Sequence, residues 1–223
     1  MGQAIGESIT FAIGVAISPI PIIAVILMLL SKRAGANSLA FGGGWVIGVT
    51  GAIIVVIAVS GAIGTGSDGA ASHGTSTTKL VLGAVLLLLG LRNWRKRPAA
   101  GQPAVLPKWL QAMESITPAK SGALGIGLSA LNPKNLIMII GGGLAISGAP
   151  VSTGGKVGAT VIFVLLAVST VVVPVVLYRL MGARIQPQLE SLNGWLQANN
   201  ATVMAMLFLI IGVVLIGKGL GGF

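Results

Sequence analysis

Cysteine is absent from the 223 residues, which removes disulfides, thiolate metal sites and thiol redox chemistry. Acidic residues number four and histidine one, against fourteen Lys and Arg, for a formal net charge of +10. Charged residues make up 8% of the chain, where a soluble domain carries about a quarter. An ordinary water-soluble domain is therefore excluded. What the chain does have is apolar: 54% of its residues are hydrophobic and the mean hydropathy is +0.97. Lipid is the expected solvent, and the length suits one membrane domain. The basic residues stand between apolar runs rather than along one polar face, which points to anionic lipid and not to nucleic acid.

The same shortages bear on function. Proton-coupled carriers commonly use a buried carboxylate or His, and divalent-metal exporters need oxygen or nitrogen ligands inside the bundle. The one His, His73, falls in the polar stretch Gly66 to Thr78 and reads as a solvated loop residue. No GxSxG elbow, P-loop, HExxH or pair of carboxylates occurs. No catalytic residue, cofactor or metal site is expected, and the chain does not read as an enzyme.

A helix that crosses a hydrocarbon core needs about 20 mainly apolar residues. Stretches free of Asp, Glu, Lys and Arg give six candidate spans: Ser8 to Ser31, about Asn37 to Gly64, about Thr75 to Leu91, about Ser121 to Ser147, Val157 to Tyr178, and about Asn199 to Gly217. The third reaches spanning length only if Lys79 snorkels to the interface. The start MGQAIGES, with Glu7 its only charge, lacks the basic region of a signal peptide, so the first span is expected to stay. Gly6 stands where N-myristoylation expects Ser or Thr.

Ten of the fourteen basic residues fall in loops one, three and five. The positive-inside rule then places those loops in the cytoplasm and both termini outside, in a multi-pass protein of the cytoplasmic membrane. Two amphipathic segments are expected to lie flat on the inner leaflet. One contains Val105, Leu106, Trp109, Leu110, Met113 and Ile116; the other contains Ile185, Leu189, Leu192 and Leu196. Trp45, Trp94, Trp109 and Trp195 fall near predicted helix ends and read as headgroup anchors. Arg92, Arg95, Lys96 and Arg97 are expected to attract anionic inner-leaflet lipid.

The two halves share a weak repeat. GVAISPIPIIAVILML, from Gly14 to Leu29, is similar to GIGLSALNPKNLIMII, from Gly125 to Ile140, with Pro19 or Pro21 opposite Pro133. Three spans per half reverse the second copy, so the predicted fold is all-α: two inverted three-helix repeats with helices 1 and 4 broken. Repeat one covers about 1–97, a cytoplasmic linker about 98–118 and repeat two about 119–223, in a single membrane domain over 1–223. The triplets Gly42 to Gly44 and Gly141 to Gly143 read as packing surfaces.

Pro19, Pro21 and Pro133 remove backbone donors within spans one and four. Broken helices at membrane depth line cavities. Lys134 then stands inside a span, where a charge is a functional hypothesis, and no carboxylate is placed to pair with it. An anionic ligand or the freed carbonyls can supply its partner. Ser18, Pro19, Pro21, Asn132, Pro133, Lys134 and Asn135 are the candidate substrate-binding residues.

With Ser18-Pro19-Ile20-Pro21 in span one, Asn132-Pro133-Lys134-Asn135 in span four and three-plus-three spans, the chain resembles the lysine-exporter (LysE) superfamily of small membrane transporters. Within it the nearest likeness is the GAP family, the glycopeptidolipid-addressing and sulfolipid-addressing proteins of mycobacteria, over nearly the whole length. Amino-acid exporters of the superfamily share Asn-Pro-Lys but typically have Pro-Gly-Pro where this chain has Pro19-Ile20-Pro21. The resemblance implies export of a lipid or glycolipid across or out of the cytoplasmic membrane; the inverted repeats add the expectation of alternating access, with Lys134 holding an anionic headgroup. A small-solute exporter and a non-transporting accessory factor of a lipid-export machine are the alternatives. The partners expected are membrane lipids and either a second copy of the chain or that machinery.

Overall fold

A computed structural model describes residues 1–62, 70–97, 110, 113 and 116–221, and the side chains of all of these except 70–75. Among the described residues every regular element is a helix and no strand occurs. The order is α1 (Gly2–Ala16), α2 (Pro19–Leu29), α3 (Ala34–Ala62), α4 (Ala70–Arg95), α5 (Pro118–Ile126) running into a π turn (Gly127–Leu131), α6 (Pro133–Gly148), α7 (Thr153–Met181) and α8 (Gln186–Leu220). Val105, Leu106, Trp109, Lys108, Glu114 and Asp68 lie outside the described residues, as does the side chain of His73.

Polar residues followed by proline start three of these helices. Ser18, Thr117 and Asn132 take extended backbone, and Pro19, Pro118 and Pro133 begin the helix that follows. Proline at the first helical position loses no bond, because that N–H has no intrahelical acceptor, and its fixed φ suits the helix. The expectation that these prolines break helices by deleting donors is therefore corrected. They start the second half-helix, and the chain turns because the first half has already ended. The bend is 50° between α1 and α2, and 59° between Pro118–Leu131 and α6.

Three described stretches are long and apolar enough to cross a membrane: Ala34–Ala62, Ser76–Arg95 and Thr153–Leu220. Counting each bent pair as one span raises the total to five. These helices make the chain a membrane-embedded protein. The Thr153–Leu220 stretch holds two helices, of 29 and 35 residues, joined through Gly182, whose φ of +59° suits glycine alone.

Glycines set the closest helix contacts. A Cβ on Gly44 would collide with the Gly122 carbonyl and one on Gly125 with the Phe41 carbonyl, so α3 and α5 meet backbone to backbone. The most extensive helix pair, α4 with α8, uses the same device: a Cβ on Gly83 would lie 2.9 Å from the Gly212 carbonyl. Such seams suit lipid, where close packing rather than water exclusion holds helices together. Of the two triplets, Gly44, Gly141, Gly142 and Gly143 press against neighbouring helices, whereas Gly43 faces open space.

Three further expectations change. Trp45 is fully buried and stacks on Phe41 at 6.3 Å, so it is no headgroup anchor. Trp94 and Trp195 are exposed. The segment from Ile185 to Leu196 is not a separate surface helix; from Gln186 it is the start of α8, with Ile185, Leu189 and Leu196 buried against protein. Lys79 does not simply snorkel: its ammonium lies 3.7 Å from the Glu7 carboxylate, joining α4 to α1.

Candidate functional site

Each break lies near the middle of its bent pair, and the two breaks touch. Where α1 ends, Ile17 adopts φ −80° and ψ 71° and the Ser18 N–H donates to the Ala16 carbonyl at 2.8 Å, an inverse γ-turn. The carbonyls of Ala16 and Ile17 are thereby turned away from any helical ladder. Buried carbonyls in an apolar setting need partners. Thr170 of α7 donates its hydroxyl to the Ala16 carbonyl at 2.6 Å. Lys134 of α6 donates its ammonium to the Ile17 carbonyl at 2.9 Å.

The second break is built differently and reaches the same end. The wide π turn ends at Leu131, and Asn132 caps α6 by accepting the Lys134 backbone N–H on Oδ1 at 3.0 Å. Asn135 Nδ2 donates to the Leu128 carbonyl within the π turn at 2.9 Å. Its other amide atom, Oδ1, accepts the Ser18 hydroxyl at 3.0 Å. Ser18 in turn accepts the Lys134 ammonium at 2.6 Å. Ser18 therefore does not cap its own helix with its side chain; its hydroxyl is shared between two residues of the opposite half.

These bonds form one polar junction inside an apolar bundle. Lys134 is 7% exposed, Ser18 3% and Asn135 fully buried. Among the described residues no carboxylate reaches Lys134, and the ion pair found joins Lys79 to Glu7 elsewhere. A buried cation without a counter-ion is costly unless hydrogen-bonded, and here a carbonyl and a hydroxyl take two of its three N–H donors. The helix starts of α2 and α6 meet at the same place, and each brings the positive end of its peptide dipoles. The junction thus gathers an ammonium and two helix N-termini, while its hydroxyl and amide donors are taken up by acceptors within the chain.

A family model for Sap, sulfolipid-1-addressing protein, matches residues 9–221. The chain belongs to that family. A search of curated proteins and a search of solved structures each found no match. In this sulfolipid-1-addressing family member the matched stretch contains both breaks and every residue of the junction.

Of the seven candidate residues, Ser18 bonds directly to both Lys134 and Asn135. Asn132 caps α6 and is half-buried, Pro133 is exposed, and Pro19 and Pro21 are buried in the first turn of α2. Both described cavities lie away from these seven residues. The backbone carbonyls of Ala16, Ile17 and Leu128 complete the junction, Ile17 being a freed carbonyl of the kind expected to partner Lys134, and Thr170 joins them unforeseen. Thr170 carried a signal nonetheless: it is a hydroxyl in an apolar run, four residues before Pro174, which has no N–H to give the Thr170 carbonyl.

Proposed function

We propose that this protein exports a lipid or glycolipid with an anionic or polar headgroup across the cytoplasmic membrane, by alternating access around the two breaks. One observation carries the reading: a buried ammonium, without a carboxylate among the described residues, sits where two half-helix N-termini meet. The family description names a sulfolipid, a lipid whose headgroup is an anion. In the described conformation Lys134 is held by Ile17 and Ser18. An anionic oxygen replaces the Ser18 hydroxyl at the ammonium, and the freed Ser18 turns back to the N-terminus of α2 as its cap. The halves are then no longer latched and rock to expose the site on the other side.

Six spans in two inverted repeats fit this cycle. Counting α7 and α8 separately and each bent pair once makes six, three in each half. The packing partners also exchange between halves: α3 packs on α5 and α7 on α1, while α4 and α8 pair with each other. Membership of the LysE superfamily, both termini outside, and anionic lipid at Arg92, Arg95, Lys96 and Arg97 belong to the same proposal. Nothing in it calls for enzymatic chemistry.

A second reading is favoured by one fact: Ser18, Lys134 and Asn135 find hydrogen-bond partners in one another and in the Ile17 and Leu128 carbonyls. A permanently latched junction suits an accessory factor of a lipid-export machine. Purified protein in liposomes separates the two. Movement of a sulfated glycolipid between leaflets by the protein alone, lost in Lys134→Ala at equal reconstitution, is the expected result. No movement by the unmodified protein, with folding intact, leaves the accessory role.

A further inference from the structure

At the far end of α2 from its break lies an open cavity of about 850 Å³. Its apolar wall is formed by Leu27 and Leu30 from the end of α2 and by Ile116 just before α5, and its lip carries Lys32 and Arg33. The wall is held from within the fold. Asn37 Nδ2 donates to the Ile116 carbonyl at 2.9 Å, and the Ser31 hydroxyl donates to the Met28 carbonyl at 2.7 Å. Both cations are exposed, and among the described residues neither has a carboxylate partner.

That combination selects its occupant. The volume lies within the range of small-molecule sites, roughly 300–1,000 Å³. A water-soluble anion makes no use of the leucines, and a zwitterionic headgroup brings its own cation against Lys32 and Arg33. An anionic amphiphile satisfies both walls at once. The positive-inside rule assigns this end of α2 to the cytoplasmic leaflet, where anionic lipid is attracted to basic residues.

We infer that this cavity docks one anionic membrane lipid, with its phosphate or sulfate on Lys32 and Arg33 and the upper part of its tails on Leu27, Leu30 and Ile116. Its role rests on the transport reading above. The 11 residues of α2 span about 16 Å at 1.5 Å per residue, so one short helix separates the docking cations from Ser18 and Lys134. The cavity is a loading position at the opposite end of α2 from the second cation.

The test uses the full chain in phosphatidylcholine liposomes doped with a photoactivatable phosphatidylglycerol or, separately, a photoactivatable phosphatidylcholine. The anionic probe labels peptides carrying Leu27, Leu30 or Ile116, and the zwitterionic probe labels them several-fold less. Lys32→Gln and Arg33→Gln each lower anionic labelling about fivefold, the equivalent of ~1 kcal/mol per basic residue. Leu30→Trp fills the cavity without touching the charges and abolishes labelling, which serves if a Gln variant misfolds. Equal labelling by the two probes, labelling indifferent to all three cavity variants, or no labelling overturns the inference. Lipid movement measured in the same liposomes keeps the two readings apart. Labelling without movement retains the cavity and removes the transport reading; movement without labelling does the reverse.

Discussion

Lys134 and Ser18 stand 116 positions apart in the chain and share a hydrogen bond of 2.6 Å. Through it the start of α2 is tied to the start of α6, so two helix breaks that each look like a local defect become one joint. Ser18 is the common member: it accepts from Lys134 and donates to Asn135.

Removing the ammonium takes one partner from the Ile17 carbonyl and one from the buried Ser18 hydroxyl, which keeps its bond to Asn135. Such a loss costs about 1–3 kcal/mol per group. Lys134→Met, which keeps the length of the side chain, is expected to lower the unfolding temperature in detergent and to abolish lipid movement. An unshifted unfolding temperature would show that the junction is not holding the halves.

Ser18→Ala removes the shared hydroxyl while leaving Lys134 bonded to Ile17. A loss of about 1–3 kcal/mol is expected, and Ser18→Thr should restore most of it by keeping the hydroxyl. Differential scanning fluorimetry on the three proteins checks the order.

Gly44→Ala forces α3 away from the Gly122 carbonyl, and overpacking of this kind costs about 1–3 kcal/mol. Gly43→Ala, one position away in the same helix and facing open space, should be neutral or stabilising by up to about 1 kcal/mol, because Ala is the better helix former. Equal effects of the two would contradict the backbone contact.

Pro133→Ala is expected to be mild, below about 1 kcal/mol, since proline at the first helical position gives up no bond. Asn132→Ala removes the cap that accepts Lys134 N–H and should cost about 0.5–2 kcal/mol. Thermal unfolding that ranks Pro133→Ala as the worse of the pair would return the break to the proline.

The chain lacks cysteine, so single introduced cysteines report topology without background. A membrane-impermeant maleimide should label Gly2→Cys and Gly221→Cys from outside, and Lys32→Cys and Arg97→Cys only after permeabilisation. Opposite labelling of the two terminal positions would remove the six-span arrangement.

Much of this was visible in the residues. Long runs without charge mark the helices because carrying a charge into hydrocarbon is costly, and Ser18-Pro19 and Asn132-Pro133 mark the breaks because a polar cap followed by proline starts a helix. The α4 helix reaches back to Ala70, through Gly, Ser and Thr whose composition reads as a loop. The partners of Lys134 were open for a physical reason. Side-chain types identify a cation, but a backbone carbonyl is the same at every position, so only the fold reveals that Ile17 is the one turned toward it. Trp45 was misplaced likewise, since its burial follows from the α3–α5 contact, in which Gly125, 80 positions on, meets the α3 backbone.

The bond between Ile17 and Lys134 spans 117 positions, and this sets an order of events during biosynthesis. At about 5–20 residues per second, the first three helices wait on the order of ten seconds before the lysine that completes them leaves the ribosome. Until then Ser18 and the Ile17 carbonyl must be wetted or shielded at the insertion site. Nascent chains truncated before residue 134 should therefore linger with the insertion machinery, and the first half on its own should not mature.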